Sequence, residues 1–153
     1  MHLPIDPDSV KGFLHPDEGQ CLYQLALEAS ALGPCLEVGS YCGKSTLYLG
    51  TGARDGNGLL YALDHHRGSE EHQLGEEYHD PDLYDAQVQK MDSLPTFRRT
   101  LALAQLESAV VPVVASSVRT LLATTGTTAD SSCASASVRR NVGNESIFCT
   151  CAS

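Results

Sequence analysis

Apolar residues along the first two thirds of the chain recur at intervals that predict helices. From Asp17 to about Leu32 they return every three or four residues, which gives a helix one buried face. Asp17 can cap this helix, and Gly33-Pro34 ends it. Further helices are predicted from about 45 to 53 and, capped by Ser93, to about 106.

Three other apolar runs are short and almost continuous, which is typical of strands covered on both faces in a parallel sheet. Pro112 has no amide donor, so the third run is expected at a sheet edge or at a bulge. The alternation of helices and strands predicts an α/β fold, a Rossmann-like doubly wound parallel sheet of which the first three strands are present. These strands are Cys35–Val38, residues 59–63 and Val110–Val114.

The pattern is lost after about Val118. Residues 120–137 are mostly Ala, Ser and Thr, and Ile147-Phe148 adds no clear element. Such a segment buries too little apolar surface to offset its ordering entropy. We therefore expect an irregular, low-complexity tail over 119–153, disordered or aberrant, after a domain over 1–118.

Composition narrows the classes of partner. Of 153 residues, ten are basic and nineteen acidic, and the net charge of -9 argues against nucleic-acid binding. No apolar run approaches the roughly 20 residues that span a bilayer, and the start has no secretory-signal pattern. These features predict a cytoplasmic protein with free thiols at its six cysteines, no membrane partner and a small-molecule substrate.

Candidate chemistry lies where the first strand meets its helix, because doubly wound sheets bind ligands at the carboxyl ends of their strands. Gly39 and Gly43 allow a sharp turn and a close approach of a ligand to the backbone. The helix N-terminus that follows suits an anion. Asp64 ends the second strand, where such folds place an acid that binds ribose hydroxyls. Glu37 lies inside an apolar strand and needs a partner, so it is expected to face the site or the amides of the loop.

Two nucleotide-binding motifs fit this loop poorly. A nicotinamide fingerprint, G-x-G-x-x-G, fails because residues 41 and 44 are Tyr and Lys. Gly43-Lys44-Ser45 matches the end of a phosphate-binding P-loop, but the first glycine is residue 39 where the motif needs residue 38. A P-loop-like module and an ordinary glycine-containing turn remain as alternatives.

The run E-V-G-S-Y-C-G-K-S, with the acid Asp64, resembles motif I of class I methyltransferases as found in catechol and caffeoyl-CoA O-methyltransferases. The longer stretch from Leu36 to Thr100 resembles a bacterial branch of these enzymes. The resemblance implies S-adenosylmethionine as cofactor and methyl transfer to a small-molecule acceptor. It implies that the loop would wrap the cofactor, that Asp64 would bind its ribose, and that Ser45 would meet its carboxylate. The full implied set is Glu37, Gly39, Ser40, Tyr41, Gly43, Ser45 and Asp64, with His65 near the adenosine and Ser116 or Ser117 near the adenine.

The resemblance ends near Val118. These enzymes continue with a fourth strand, often with an acidic motif, and nothing after residue 118 resembles it. We therefore expect residues 1–118 to be the N-terminal part of a methyltransferase domain, with a truncated or frameshifted end. We assign no catalytic residue, and a non-catalytic cofactor-binding remnant is the alternative to an enzyme.

A histidine-rich acidic segment follows the second strand. Imidazoles and carboxylates suit Zn, Mn or Fe, but no metal-binding spacing such as H-E-x-x-H occurs. A solvated loop is the favoured interpretation, and no metal site is predicted. One of its histidines can serve as a general base, and Tyr78 and Tyr84 can line an acceptor pocket. The histidines are His65, His66, His72 and His79.

Overall fold

The computed structural model of the protein describes residues 1–68, 80–87, 90–116 and, for the backbone alone, 147–150. Within these ranges the helices and strands follow the predicted alternating order. The helices are α1 (Pro16–Ala29), α2 (Lys44–Asp55) and α3 (Leu94–Leu103), and short 3₁₀ helices cover Pro7–Ser9 and Pro81–Leu83. The strands are β1 (Cys35–Val38), β2 (Leu60–Asp64), β3 (Tyr84–Asp85), β4 (Lys90–Met91), β5 (Val110–Val114) and β6 (Ile147–Thr150).

The main sheet is parallel, with the strand order β5-β2-β1-β6. Cys35 lies opposite Leu60, and Leu60 lies opposite Val110, so the first three predicted strands are in register. The α/β prediction is therefore confirmed. The strand β6, which pairs with β1, is an addition that the sequence pattern did not predict. All four carboxyl ends meet at one edge of this sheet.

The hydrophobic core lies between the helices and the sheet. Its largest fully buried side chains include Leu47 and Leu49 of α2, Leu60 of β2 and Phe97 of α3. The helices α1 and α2 pack closely, because a Cβ atom on Gly52 would lie 2.4 Å from the Tyr23 carbonyl oxygen. This packing fixes α2, and with it the turn that joins α2 to β1.

The hydrogen bonds that cap the starts of the helices differ from those predicted. The cap of α1 is His15, since its side chain accepts from the Asp17 amide while Glu18 accepts from the His15 amide. The prediction that Asp17 caps α1 is wrong, because Pro16 occupies the first helical position. Ser93 does precede α3, but its hydroxyl makes no capping bond. Helix α1 also ends earlier than predicted, and Leu32 is 74% exposed.

The segment around β3 and β4 forms an antiparallel pair outside the main sheet. Lys11 of the N-terminal segment bonds to Asp80 at 2.6 Å and to Asp82 at 2.8 Å. Leu83 and Met91 bury against Cys42. The loop after β1 is thus covered by chain from two distant parts of the sequence.

Pro112 has the predicted location, because β5 is an edge strand among the described strands. No helix in the described ranges is long and apolar enough to cross a membrane. Among the described residues, Cys21, Cys35 and Cys42 form no disulfide bond. The other cysteines lie outside the residues whose side chains the structure describes.

Candidate functional site

The loop between β1 and α2 turns by means of three residues in the left-handed region. These are Gly39 (φ 86°), Tyr41 (φ 46°) and Gly43 (φ 94°). The Gly39 amide donates to the Leu63 carbonyl at 2.9 Å, which ties the loop to β2. Gly43 is the N-cap of α2 and has no side chain to accept from the first amides of the helix. Such a helix start is suited to an anionic group of a ligand.

Helix α3 packs against this loop. A Cβ atom on Gly43 would lie 3.2 Å from Thr100 Cγ2 and 3.3 Å from Phe97 Cδ2. The Thr100 hydroxyl also donates to the Cys42 carbonyl at 2.9 Å. Gly43 is therefore required twice, by its backbone conformation and by its contact with α3.

Asp64 joins the end of β2 to the loop. Its Oδ2 accepts from the Tyr41 amide at 2.8 Å, and its Oδ1 accepts from the His66 amide at 2.7 Å. The side chain is 14% exposed, so it is largely buried but still reachable from solvent. Each carboxylate oxygen has a further lone pair beyond these bonds. The group is thus fixed in place and can still accept from the two hydroxyls of a ribose.

Glu37 is fully buried below the loop. Its two oxygens accept from the Ser45 and Thr46 hydroxyls, each at 2.6 Å. Burial raises the pKa of Glu37 to about 7, although the two hydroxyl bonds oppose the shift. The expected partners of Glu37 were the site or the loop amides, but the structure pairs it with hydroxyls of α2.

Ser40 provides a direct test of whether a ligand suits the loop. The residue is 1% exposed, and its Oγ has no hydrogen-bond partner among the described residues. An unpartnered buried hydroxyl is costly, by about 1–3 kcal/mol. Such groups in native structures call for an explanation, and a bound cofactor supplies one. The residues of the loop therefore fit the predicted cofactor.

The remaining predicted residues lie at the same edge of the sheet. His65 follows Asp64 directly, and its Nδ1 lies 3.7 Å from Asp64 Oδ1. Ser116 follows β5, and the preceding Ala115 amide donates to the Asp64 carbonyl at 3.1 Å. The structure thus brings the ends of β1, β2 and β5 together. Ser117 lies outside the described residues.

His66 and Ser93 are partners that sequence analysis did not place in the site. The His66 Nδ1 lies 2.9 Å from the Ser93 Oγ, and both residues are 1% exposed. His66 was grouped with the histidine-rich segment because it follows His65 in sequence. The signal that distinguishes it is the contact with α3, which no local pattern contains.

Part of the histidine-rich segment, including His72, Tyr78 and His79, lies outside the described residues. In the ranges that the structure does describe, no group of three or more His, Cys, Asp or Glu side chains is arranged to hold a metal ion. Tyr84 lies half-buried on β3.

The residues of the P-loop alternative are arranged differently from a phosphate site. The Lys44 Nζ lies 3.8 Å from Asp8 Oδ1, and its side chain is 15% exposed. Ser45, whose oxygen would bind the magnesium ion of a nucleotide, donates its hydroxyl hydrogen to Glu37 and keeps its lone pairs. The Lys44 ammonium, which a P-loop directs to the phosphates, lies beside Asp8 instead.

Comparison with known proteins gives a family match and several similar solved structures. A sequence model of a family described as a methyltransferase domain matches residues 36–134, which is more than half of the chain. Cofactor-bound Rv0187 from MTB has 21% identity and a TM-score of 0.47, over 79% of this chain and 45% of that one. The O-methyltransferase from Bacillus cereus, in complex with SAH, has 18% identity and a TM-score of 0.49, over 80% and 44%. The chain spans less than half the length of either structure.

Proposed function

The chain belongs to the methyltransferase-domain family, whose class I members use S-adenosylmethionine, and from this premise we propose that it binds this cofactor for methyl transfer to a small-molecule acceptor. The site is the carboxyl edge of β1, β2 and β5. The observation that carries the proposal is the bond between Asp64 and the Tyr41 amide. It links the acid at the end of β2 to the glycine loop at the end of β1.

Each part of the site has a role toward the cofactor. Asp64 would accept from the ribose hydroxyls, and His65 and Ser116 would lie beside the adenosine. Gly39, Tyr41 and Gly43 would let the cofactor approach the backbone, with the start of α2 toward its carboxylate. Glu37 would act indirectly, because it accepts the single hydroxyl hydrogen of Ser45, so that the amides at the start of α2 rather than the Ser45 hydroxyl would meet the cofactor carboxylate. Ser40 would direct its unpartnered hydroxyl to the cofactor.

Bound S-adenosylmethionine supplies a methyl group that its sulfonium centre activates for displacement. Such a displacement needs mainly alignment of donor and acceptor, so the residues that hold the cofactor contribute through position. None of the described residues at this edge has a contact that assigns it to the acceptor. Cofactor binding without transfer is therefore the second candidate function of this chain. We also propose a cytoplasmic location and a methyltransferase part over residues 1–118, followed by a tail of low sequence complexity over 119–153.

Calorimetric titration with S-adenosylhomocysteine tests cofactor binding. We expect saturable binding by the full chain and at least about a tenfold loss of affinity in Asp64→Asn, which corresponds to about 1.4 kcal/mol. Asp17→Asn is the matched control, because Asp17 is an exposed acid in the first turn of α1 and belongs to neither the loop nor the strand ends of the site. Absence of binding by the unaltered chain would contradict the proposal.

Magnesium-ATP distinguishes the P-loop alternative. The methyltransferase proposal predicts no saturable binding of magnesium-ATP and a smaller effect of Lys44→Ala than of Asp64→Asn on S-adenosylhomocysteine affinity. Nucleotide binding that is lost in Lys44→Ala would favour the P-loop function instead. Transfer of a labelled methyl group to small nucleophiles then separates an enzyme from a chain that only binds the cofactor.

A further inference from the structure

His66 has an unusual position for a buried histidine. It lies two residues after Asp64, has a left-handed backbone (φ 57°) and is 1% exposed. Residues other than glycine rarely adopt this backbone conformation, although histidine does so more often than most. A strained backbone and a buried polar ring persist only where surrounding contacts fix them.

The backbone of His66 fixes the Asp64 carboxylate. Its amide donates to Asp64 Oδ1 at 2.7 Å, while the Tyr41 amide donates to Asp64 Oδ2 at 2.8 Å. The two carboxylate oxygens of Asp64 therefore accept from amides in two separate segments of the chain. If His66 shifts, the carboxylate loses one of the two bonds that determine its orientation.

The ring of His66 is in turn anchored on the start of α3. Nδ1 lies 2.9 Å from the Ser93 Oγ, and the His66 carbonyl accepts from the Ser93 amide at 3.1 Å. The ring also packs against Phe97, with centroids 5.1 Å apart. Ser93 precedes α3, yet its hydroxyl makes no capping bond. Asp92 accepts from the Leu94 amide instead, which leaves the Ser93 hydroxyl for the histidine.

The second ring nitrogen has no such partner. Nε2 of His66 is buried and makes no hydrogen bond among the described residues. Burial lowers the pKa of His66, while the negative charges of Asp64 and Asp92 oppose the shift. The other groups that act on the ring are His65 and the Tyr41 backbone. The ring is therefore neutral at neutral pH, and its protonation would place a charge between α3 and the cofactor loop.

We propose that His66 is a positioning residue, which uses its amide on Asp64 and its ring on Ser93 to hold the Asp64 carboxylate in the orientation that receives the ribose. This role rests on the proposed cofactor function. Through His66, the position of α3 would affect the orientation of Asp64, although the His66 side chain need not touch the cofactor.

The test is titration of the full chain with S-adenosylhomocysteine. Ser93→Ala removes only the hydroxyl that anchors the ring, and we expect affinity to fall about tenfold. His66→Leu should reduce affinity at least as much. His66→Asn tolerates the left-handed backbone but lacks the ring that Ser93 anchors, so it should lose affinity to about the same extent as Ser93→Ala. His2→Gln, at an exposed position, is the control and should bind normally.

The pH profile separates positioning from mere packing. The unaltered chain should lose affinity as the pH falls below 6.5, because the lowered pKa of His66 puts protonation of the ring in that range, and His66→Asn should show a flatter profile. Circular dichroism checks that each variant is folded, and Ser93→Ala decides the matter if His66→Leu unfolds. Normal affinity in folded Ser93→Ala, or an unchanged pH profile in His66→Asn, would overturn the inference. If the unaltered chain itself fails to bind, the proposed function is wrong, and the role of His66 falls with it.

Discussion

Glu37 shows how one buried carboxyl can link stability to pH. Folding raises its pKa from 4.5 to about 7, chiefly through burial. Across this window the folded protein holds a proton that the unfolded chain releases. The free energy of unfolding therefore falls as pH rises from 4.5 to about 7, and this contribution is constant above that range.

Glu37→Gln should flatten this dependence, because an amide does not titrate. We expect the variant to lose less stability than the unaltered chain between about pH 5 and about pH 8, as measured by urea unfolding. Glu28→Gln is the control, since Glu28 is an exposed acid on α1. Parallel pH profiles for Glu37→Gln and the unaltered chain would show that Glu37 does not carry the effect.

Some residues of the site can be identified from the sequence around them, whereas others depend on contacts with distant parts of the chain. Gly39 and Asp64 follow directly after predicted strands and Gly43 precedes a predicted helix, so pattern and motif were sufficient to select them. Thr46 directly follows Ser45 in the sequence, but its bond to Glu37 depends on how α2 lies over β1. The pairing of His66 with Ser93 spans 27 residues and depends on where α3 begins, which the sequence does not reveal.

At the scale of elements, the period of apolar residues located α1, α2, α3 and the first three parallel strands. Their ends were less predictable, because caps depend on single bonds. His15 replaces Asp17 as the cap of α1 through a reciprocal pair with Glu18. Strand β6 was missed because its four residues have no period of their own, and its pairing with β1 is a tertiary contact.

Replacing Gly52 by alanine tests the contact between α1 and α2. Alanine is normally better than glycine inside a helix, by about 0.8–1 kcal/mol. In Gly52→Ala, however, the new Cβ would lie 2.4 Å from the Tyr23 backbone oxygen, so the helices must separate. We expect a net loss of about 1–3 kcal/mol in the free energy of unfolding, measured in urea.

Gly50→Ala is the matched variant on the same helix. Its Cβ would meet a side-chain atom, Val110 Cγ2, at 2.7 Å, and a side chain can move more easily than a backbone. The loss should therefore be smaller than in Gly52→Ala. Equal or reversed losses would mean that the α1–α2 contact is not the limiting one.

At the scale of the whole molecule, parallel strands concentrate the candidate chemistry. Residues after β1, β2 and β5 are far apart in sequence, and they meet because all three strands end at the same edge. Lys11 adds a distant contact by pairing with Asp80 and Asp82. These contacts raise the pKa of Lys11 and lower that of Asp82. Because Asp82 is exposed, solvent screens its ion pair with Lys11, and this pair therefore contributes little to stability.

Pro112 also determines how the molecule behaves toward copies of itself. The Ala115 amide donates to β2, and amides along a strand point alternately to its two sides. The nitrogen of Pro112 therefore faces the outer side of β5, where a further strand would need a donor. An edge that lacks this donor is a poor template for aggregation. Pro112→Thr should aggregate faster on heating, as followed by light scattering, whereas Val114→Thr, which leaves the backbone donors unchanged, should not; equal rates in the two variants would count against this role.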